Sequence, residues 1–137
     1  MRVMGIDYGN KRIGVAISDP WCTMAHPLEV IGVKKDDSHM GKIEDIIKNY
    51  EITHIVVGLP YNMDGTIGDS AKTVMEWAKQ LEQRVNLPVT LFDERLTTCE
   101  AYNLIAGSNV RKAKKRQVID KIAASMILKE YLNLLNQ

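Results

Sequence analysis

Three acidic positions in this chain have the setting expected of metal ligands, because each follows or borders an apolar segment. Asp7 ends the first apolar run, the pair Asp93–Glu94 ends another, and Asp120 lies near the start of a long helix-like pattern. Burying a carboxylate costs several kcal/mol unless a cation or hydrogen-bond donor compensates its charge. Three such acids at the ends of predicted elements favour a divalent-cation site, and a basic segment nearby favours phosphodiester chemistry.

Each acid also has a purely structural interpretation. Asp7 could cap a turn by accepting backbone hydrogen bonds, and Glu94 could form an exposed pair with Arg95, which contributes little. Asp120 could interact with a helix dipole, worth under ~1 kcal/mol. That last interpretation suits an exposed acid, whereas Asp120 shares its predicted helix face with a row of apolar residues, Ala123, Ala124, Ile127 and Tyr131.

Strand parity does not choose between Asp93 and Glu94, since apolar residues occupy both faces of residues 89–92. The longer side chain favours Glu94 as the ligand, with Asp93 as second choice. Arg95 is then available to a substrate phosphate.

The glycines around Asp7 predict open space beside its carboxylate. Gly5 and Gly9 flank it, and Gly14 follows on the next predicted strand. Without side chains they would leave room for a metal or a phosphate. The loop 58–68 resembles no phosphate-binding spacing, and alone it is a weak indication of an anion site.

Charge is balanced overall but concentrated locally. Eighteen Lys and Arg against seventeen Asp and Glu give a net charge of +1, which does not itself indicate a nucleic-acid partner. A basic stretch precedes Asp120, and it is either a solvated surface or a contact for the phosphate backbone. Its members are Arg111, Lys112, Lys114, Lys115 and Arg116.

Composition predicts one domain over residues 1–137, large enough for a core without disulfides. Cys22 and Cys99 lack metal-ligand spacing, which favours a reducing, cytoplasmic compartment. No leader pattern or membrane-length apolar run is present in the sequence, so we expect no membrane partner.

The spacing of apolar residues predicts an α/β fold. Residues 2–8, 12–18 and 28–33 form three antiparallel strands, and later strands cover 54–58 and 88–92. Apolar residues at helical spacing predict helices between and after these strands, including 97–106 and 115–135. This order describes a mixed sheet of five strands with helices on its faces.

Four motifs in this order resemble the YqgF-like branch of the RNase H-fold nucleases. They are GIDYGNKRIGVAISD, VVGLPYNMDGTIG, FDERLTT and IDKIAASMIL, and together they extend over essentially the whole chain. Members of this family are described as Holliday junction resolvases or as nucleases that process the 5′ end of pre-16S rRNA. The resemblance implies an RNase H-like fold in which Asp7, one acid of the Asp93–Glu94 pair and Asp120 converge on Mg²⁺ or Mn²⁺, with two ions expected.

The expected function is therefore a metal-dependent endonuclease acting on structured RNA or on branched DNA. Expected substrate-binding residues are Arg12, Asn62, Arg95 and the basic stretch. Because no large exposed apolar interface is evident in the sequence, we expect a monomer or weak homodimer and favour RNA. Two alternatives remain open: an ATP phosphotransferase, since residues 5–9 resemble a phosphate loop, and a non-catalytic nucleic-acid-binding module.

Overall fold

The computed structural model describes residues 2–62, 64–93 and 112–136, with residues 112–118 as backbone. Five strands form one sheet in the order β3-β2-β1-β4-β5. β1, β2 and β3 are antiparallel neighbours, whereas β4 and β5 run parallel to β1. The predicted mixed five-stranded sheet is confirmed. The strands are β1 (Arg2–Tyr8), β2 (Arg12–Ser18), β3 (Ala25–Gly32), β4 (Ile52–Leu59) and β5 (Val89–Asp93).

Helices cover both faces of the sheet. α1 (Ser38–Asn49) and α2 (Asp69–Val85) pack on one face, where they form a large apolar cluster with the strands. α3 (Lys112–Leu135) packs on the other face, against β1, β2 and β3. None of the helices in the described ranges is both long and apolar enough to cross a membrane.

Several element boundaries differ from the sequence prediction, and the largest shifts are at the starts of β3 and α3. β3 begins at Ala25 rather than Leu28, and it continues through Pro27. A proline is tolerated there because β3 is an edge strand and the register with β2 shifts between Val15 and Ala16. α3 begins three residues earlier than predicted, at Lys112. The predicted helix over residues 97–106 lies outside the described residues.

Side-chain alternation along β1 decides which residues face α3. Met4 and Ile6 belong to the cluster with α1 and α2, whereas Val3 belongs to the cluster with α3. Since successive side chains point to opposite faces of a strand, Gly5 and Asp7 lie on the α3 side. The chain therefore places an acid on the helix-covered face at the end of its central strand.

Candidate active site

Asp7 lies at the end of β1, half-buried, and its cross-strand partner in β2 is Gly14. A Cβ atom built on Gly14 would lie 2.0 Å from the backbone oxygen and 3.4 Å from the Cα of Asp120. Directly paired residues of antiparallel strands have Cα atoms about 4.5–5.5 Å apart, so the Cα atoms of Asp7 and Asp120 lie within roughly 10 Å. The structure thus brings together two of the three predicted acids, which are 113 positions apart in the sequence.

Gly5 and Gly14 serve the packing of α3 rather than the binding of a ligand. A Cβ on Gly5 would lie 2.7 Å from the Cβ of Leu128 and 2.9 Å from the oxygen of Ala124. The prediction that these two glycines leave space for a metal or phosphate is therefore wrong. Their missing side chains let the helix backbone approach the sheet. A Cβ on Gly9 would meet the oxygen of Arg12 at 2.9 Å, so Gly9 is required by the turn itself.

Arg12 forms an ion pair with Asp120, and its Nε donates to Oδ2 over 2.7 Å. Arg12 starts β2 two residues before Gly14, so it lies on the same face of the sheet. The two side chains are 33% and 22% exposed, so solvent screens the attraction only in part. The positive charge of the Arg12 guanidinium is thus already paired with Asp120, one of the candidate metal ligands.

Asp93 ends β5 and is half-buried. Its neighbour Phe92 packs in the cluster with α3, so alternation places Asp93 on the opposite face from Asp7. β5 is also separated from β1 by β4, a distance of about 10 Å at ordinary strand spacing. This placement disfavours Asp93 as a partner of Asp7.

Several predicted site residues belong to the part of the chain that the structure does not describe. Glu94, Arg95 and Arg111 lie outside the described residues, and so do the side chains of Lys112, Lys114, Lys115 and Arg116. Among the side chains that the structure does describe, no group of three or more His, Cys, Asp or Glu is arranged to hold a metal. The three-acid site therefore stays a prediction, with two of its members adjacent.

The backbone of the basic stretch has a defined position relative to the site. α3 contacts Gly14 at Asp120 and Gly5 at Ala124 and Leu128, so it runs antiparallel to β1. Its residues 112–119 therefore continue toward the end of the sheet that carries Asp7, over about 12 Å of helix.

Asn62 has a local structural role in the loop after β4. Its side-chain nitrogen donates to Thr66 Oγ1 over 2.9 Å, and its backbone N–H donates to the backbone oxygen of Thr66. A Cβ on Gly68 would lie 3.1 Å from Asn62 Oδ1. These contacts shape the loop, and the expected contact of Asn62 with substrate stays a prediction.

One feature of the site was missed by the sequence analysis, namely that Arg12 is the counter-ion of Asp120. The two residues are 108 positions apart. The available signal was the alternation of β2, which places Arg12 on the face that also carries Gly14. That signal becomes useful only once α3 is known to cover the face.

Comparison with known proteins identifies the family. A family model described as "RuvX: Holliday junction resolvase" matches residues 1–134. The chain belongs to the RuvX family. A curated relative from Lachnospira eligens is 47% identical over 135 residues, covering 96% of each chain. One from Listeria monocytogenes is 44% identical over 138 residues, covering 99% of this chain and 100% of its own. Both carry the provisional name of pre-16S rRNA nuclease.

Two solved structures share the fold of this RuvX-family chain. RuvC of T. thermophilus, solved in complex with a Holliday junction substrate, aligns with a TM-score of 0.57 at 14% identity, covering 99% of this chain and 96% of its own. The fowlpox virus Holliday junction resolvase aligns with a TM-score of 0.54 at 14% identity, covering 98% and 99%. At this level of identity the likeness confirms the predicted fold alone.

Proposed function

We propose that this protein is a metal-dependent endonuclease that hydrolyses phosphodiester bonds, and that it processes the 5′ end of pre-16S rRNA in the cytoplasm. The observation that carries the proposal is the proximity of Asp7 and Asp120 at one end of the sheet, where the Arg12 guanidinium pairs with Asp120. Family membership and the provisional name of the relatives support nuclease activity.

The donor set fits a hard divalent cation. Asp7 and Asp120 offer carboxylate oxygens, which Mg²⁺ and Mn²⁺ prefer. We propose Glu94 as the third ligand, since alternation turns Asp93 away. When bound, two such ions would activate water and stabilise the departing oxygen.

The chain's own residues would orient the substrate. The Arg12 guanidinium donates to Asp120 through Nε, and turning to a phosphate would let it make two parallel hydrogen bonds that hold the backbone in position. The basic stretch is proposed as a further contact, because the backbone of α3 carries four of its residues toward the end of the sheet with Asp7. Arg95 and Asn62 are proposed as additional contacts. These contacts would deliver nucleic acid of any sequence.

The direct test is cleavage of a pre-16S rRNA fragment with Mg²⁺ by the wild type, Asp7→Asn and Asp120→Asn. Each substitution removes a charge and keeps the side-chain volume, so we expect at least a hundredfold loss of rate with folding retained. Asp45→Asn, which changes an exposed acid on α1, is the matched control and should cleave normally. Full activity in Asp7→Asn, or with chelator present, would refute the nuclease proposal.

Resolution of Holliday junctions is the second candidate, favoured by the description of the matching family model. A resolvase must cut two opposed strands, which normally requires a two-fold dimer with paired sites. We propose a monomer or weak homodimer and therefore prefer RNA. A tight dimer in sedimentation together with symmetric nicking of a synthetic junction would reverse this preference.

A further inference from the structure

A cleft of about 270 Å³ opens at the end of the sheet that carries Asp7, but on the α2 face, between the β1–β2 turn and the first turns of α2. Tyr8 and Asn10 line one side, Asp69 and Ser70 line the other, and Pro60 lies between them. Tyr8 directly follows Asp7, so the Cα atoms of the two residues are about 3.8 Å apart. Their side chains point to opposite faces of the sheet, so a polynucleotide chain would reach both Asp7 and the cleft by crossing the end of β1 from the α3 face to the α2 face.

The described lining of the cleft carries negative charge. Among the residues that the structure describes, no Lys or Arg lines the cleft, and Asp69 contributes a carboxylate. Thr73 donates its hydroxyl hydrogen to the backbone oxygen of Asp69 over 3.0 Å, which leaves the threonine oxygen able only to accept. Asp69 and Thr73 thus present acceptor oxygens, and Tyr8, Asn10 and Ser70 can both donate and accept, so the cleft fits a neutral ligand that carries hydroxyl or amino groups.

The remaining walls are apolar and fixed. Tyr8 stacks on Trp77 with ring centroids 4.4 Å apart and an interplanar angle of 20°. Val74 and Pro60 add apolar surface. Burial, and secondarily the charge of Asp37, raises the pKa of Tyr8, so its phenol stays neutral at physiological pH. A flat nucleobase is the kind of group that such walls accept.

We infer that this cleft holds one unpaired ribonucleoside of the RNA that crosses the end of β1, with the ribose 2′-hydroxyl donating to Asp69. The volume lies just below the range of about 300–1,000 Å³ typical of small-molecule pockets, which suits one nucleoside and excludes a duplex. The 2′-hydroxyl is the group by which proteins distinguish RNA from DNA. The inference rests on the proposed function and gives it a basis for selecting single-stranded RNA.

The test combines a change in the protein with a change in the ligand. Single-stranded oligoribonucleotides from the 5′ extension of pre-16S rRNA carry one 2′-deoxy substitution at successive positions, and fluorescence anisotropy gives each Kd. For the wild type, one position should raise the Kd about tenfold, as expected for losing a hydrogen bond to a charged group. For Asp69→Ala, the all-ribose Kd should already be about tenfold higher, and the same deoxy substitution should have no further effect.

Glu76→Ala, an exposed acid two turns further along α2, is the matched control and should behave as the wild type does. Asp69→Asn keeps an acceptor oxygen and should give an intermediate Kd. If Asp69→Ala bound the deoxy-substituted oligonucleotide with a Kd about a hundredfold above that of the wild type for the all-ribose one, the two effects would be independent. That result would overturn the inference and leave the nuclease proposal intact. If no 2′-deoxy position raised the Kd of the wild type, the inference would also be overturned and the nuclease proposal would stand. Failure of the wild type to bind RNA at all would overturn both.

Discussion

Replacing Arg12 with glutamine should weaken the fold and strengthen metal binding at the same time. The guanidinium lies 2.7 Å from Asp120 Oδ2, and both side chains are partly exposed. Exposed ion pairs contribute about 0.2–1 kcal/mol, and hydrogen bonds to charged groups about 1.5–3 kcal/mol. For this partly screened pair we expect a loss of about 1–2 kcal/mol, which lowers Tm by about 4–8 °C.

The same interaction opposes a dication at Asp120. Either the ion pair must break before the carboxylate turns to the metal, or the metal must bind beside a positive charge. Removing that cost of about 1–2 kcal/mol should tighten Mg²⁺ binding by a factor of about 5–30. Mg²⁺ should therefore raise the Tm of Arg12→Gln more than it raises the Tm of the wild type.

The assay is calorimetric titration with Mg²⁺, paired with thermal melts in chelator and in excess Mg²⁺. Arg84→Gln is a matched control, because it breaks the Arg84–Glu44 pair, whose N–O distance is 2.6 Å, between α2 and α1. Its side chains are 46% and 42% exposed, so the loss of stability should be smaller and the Mg²⁺ response unchanged. Equal or weaker Mg²⁺ binding in Arg12→Gln would refute the view that Arg12 competes with a metal for Asp120.

Three further predictions concern packing, pH and salt. Gly14→Ala should lower the free energy of unfolding by about 3 kcal/mol, since its Cβ would clash with the backbone of Asp120. As its control, Gly41→Ala in α1, where a Cβ meets nothing within 4 Å, should raise that free energy by about 0.5–1 kcal/mol in the same urea titrations. Hydrogen bonds from the Thr23 side chain and from backbone N–H groups lower the pKa of Asp19 to about 2. This contribution to stability is present above the unfolded pKa of 3.8 and is lost as pH falls through about 2, so urea midpoints between pH 5 and 2 should fall less steeply in Asp19→Asn. A triple alanine variant of Lys112, Lys114 and Lys115 should bind nucleic acid with a weaker salt dependence, and the slope of log affinity against log salt should decrease by about 0.7–0.9 for each phosphate that is no longer neutralised. An unchanged slope in that variant would show that the basic stretch is merely a solvated surface.

The sequence predicted the central strands well because their signals are local. β1 and β2 have the predicted bounds, since alternating apolar residues and a short turn specify a hairpin without help from the rest of the chain. The apolar face of α3 was also predicted, and Ala123 and Ala124 are buried against the sheet. The position of Asp7 at the end of β1 and that of Asp120 on α3 follow from these predicted elements.

The remaining details depend on packing between distant segments. Glycine in a strand indicates that something approaches closely, but not whether that is a ligand or a helix. At Gly5 and Gly14 it is α3, which only the tertiary structure reveals. The Arg12–Asp120 pair has the same origin, because the register of α3 on β2 is set by the whole apolar interface.

The most direct test of the central claim is anomalous diffraction from a crystal soaked in Mn²⁺. The two acids, Asp7 and Asp120, should share an anomalous peak, with one carboxylate oxygen of each about 2.0–2.2 Å from the metal. Arg12 should have turned away from Asp120 in that crystal. A peak elsewhere, or no peak at either acid with the Arg12–Asp120 ion pair intact, would contradict the metal site on which the proposed nuclease chemistry depends.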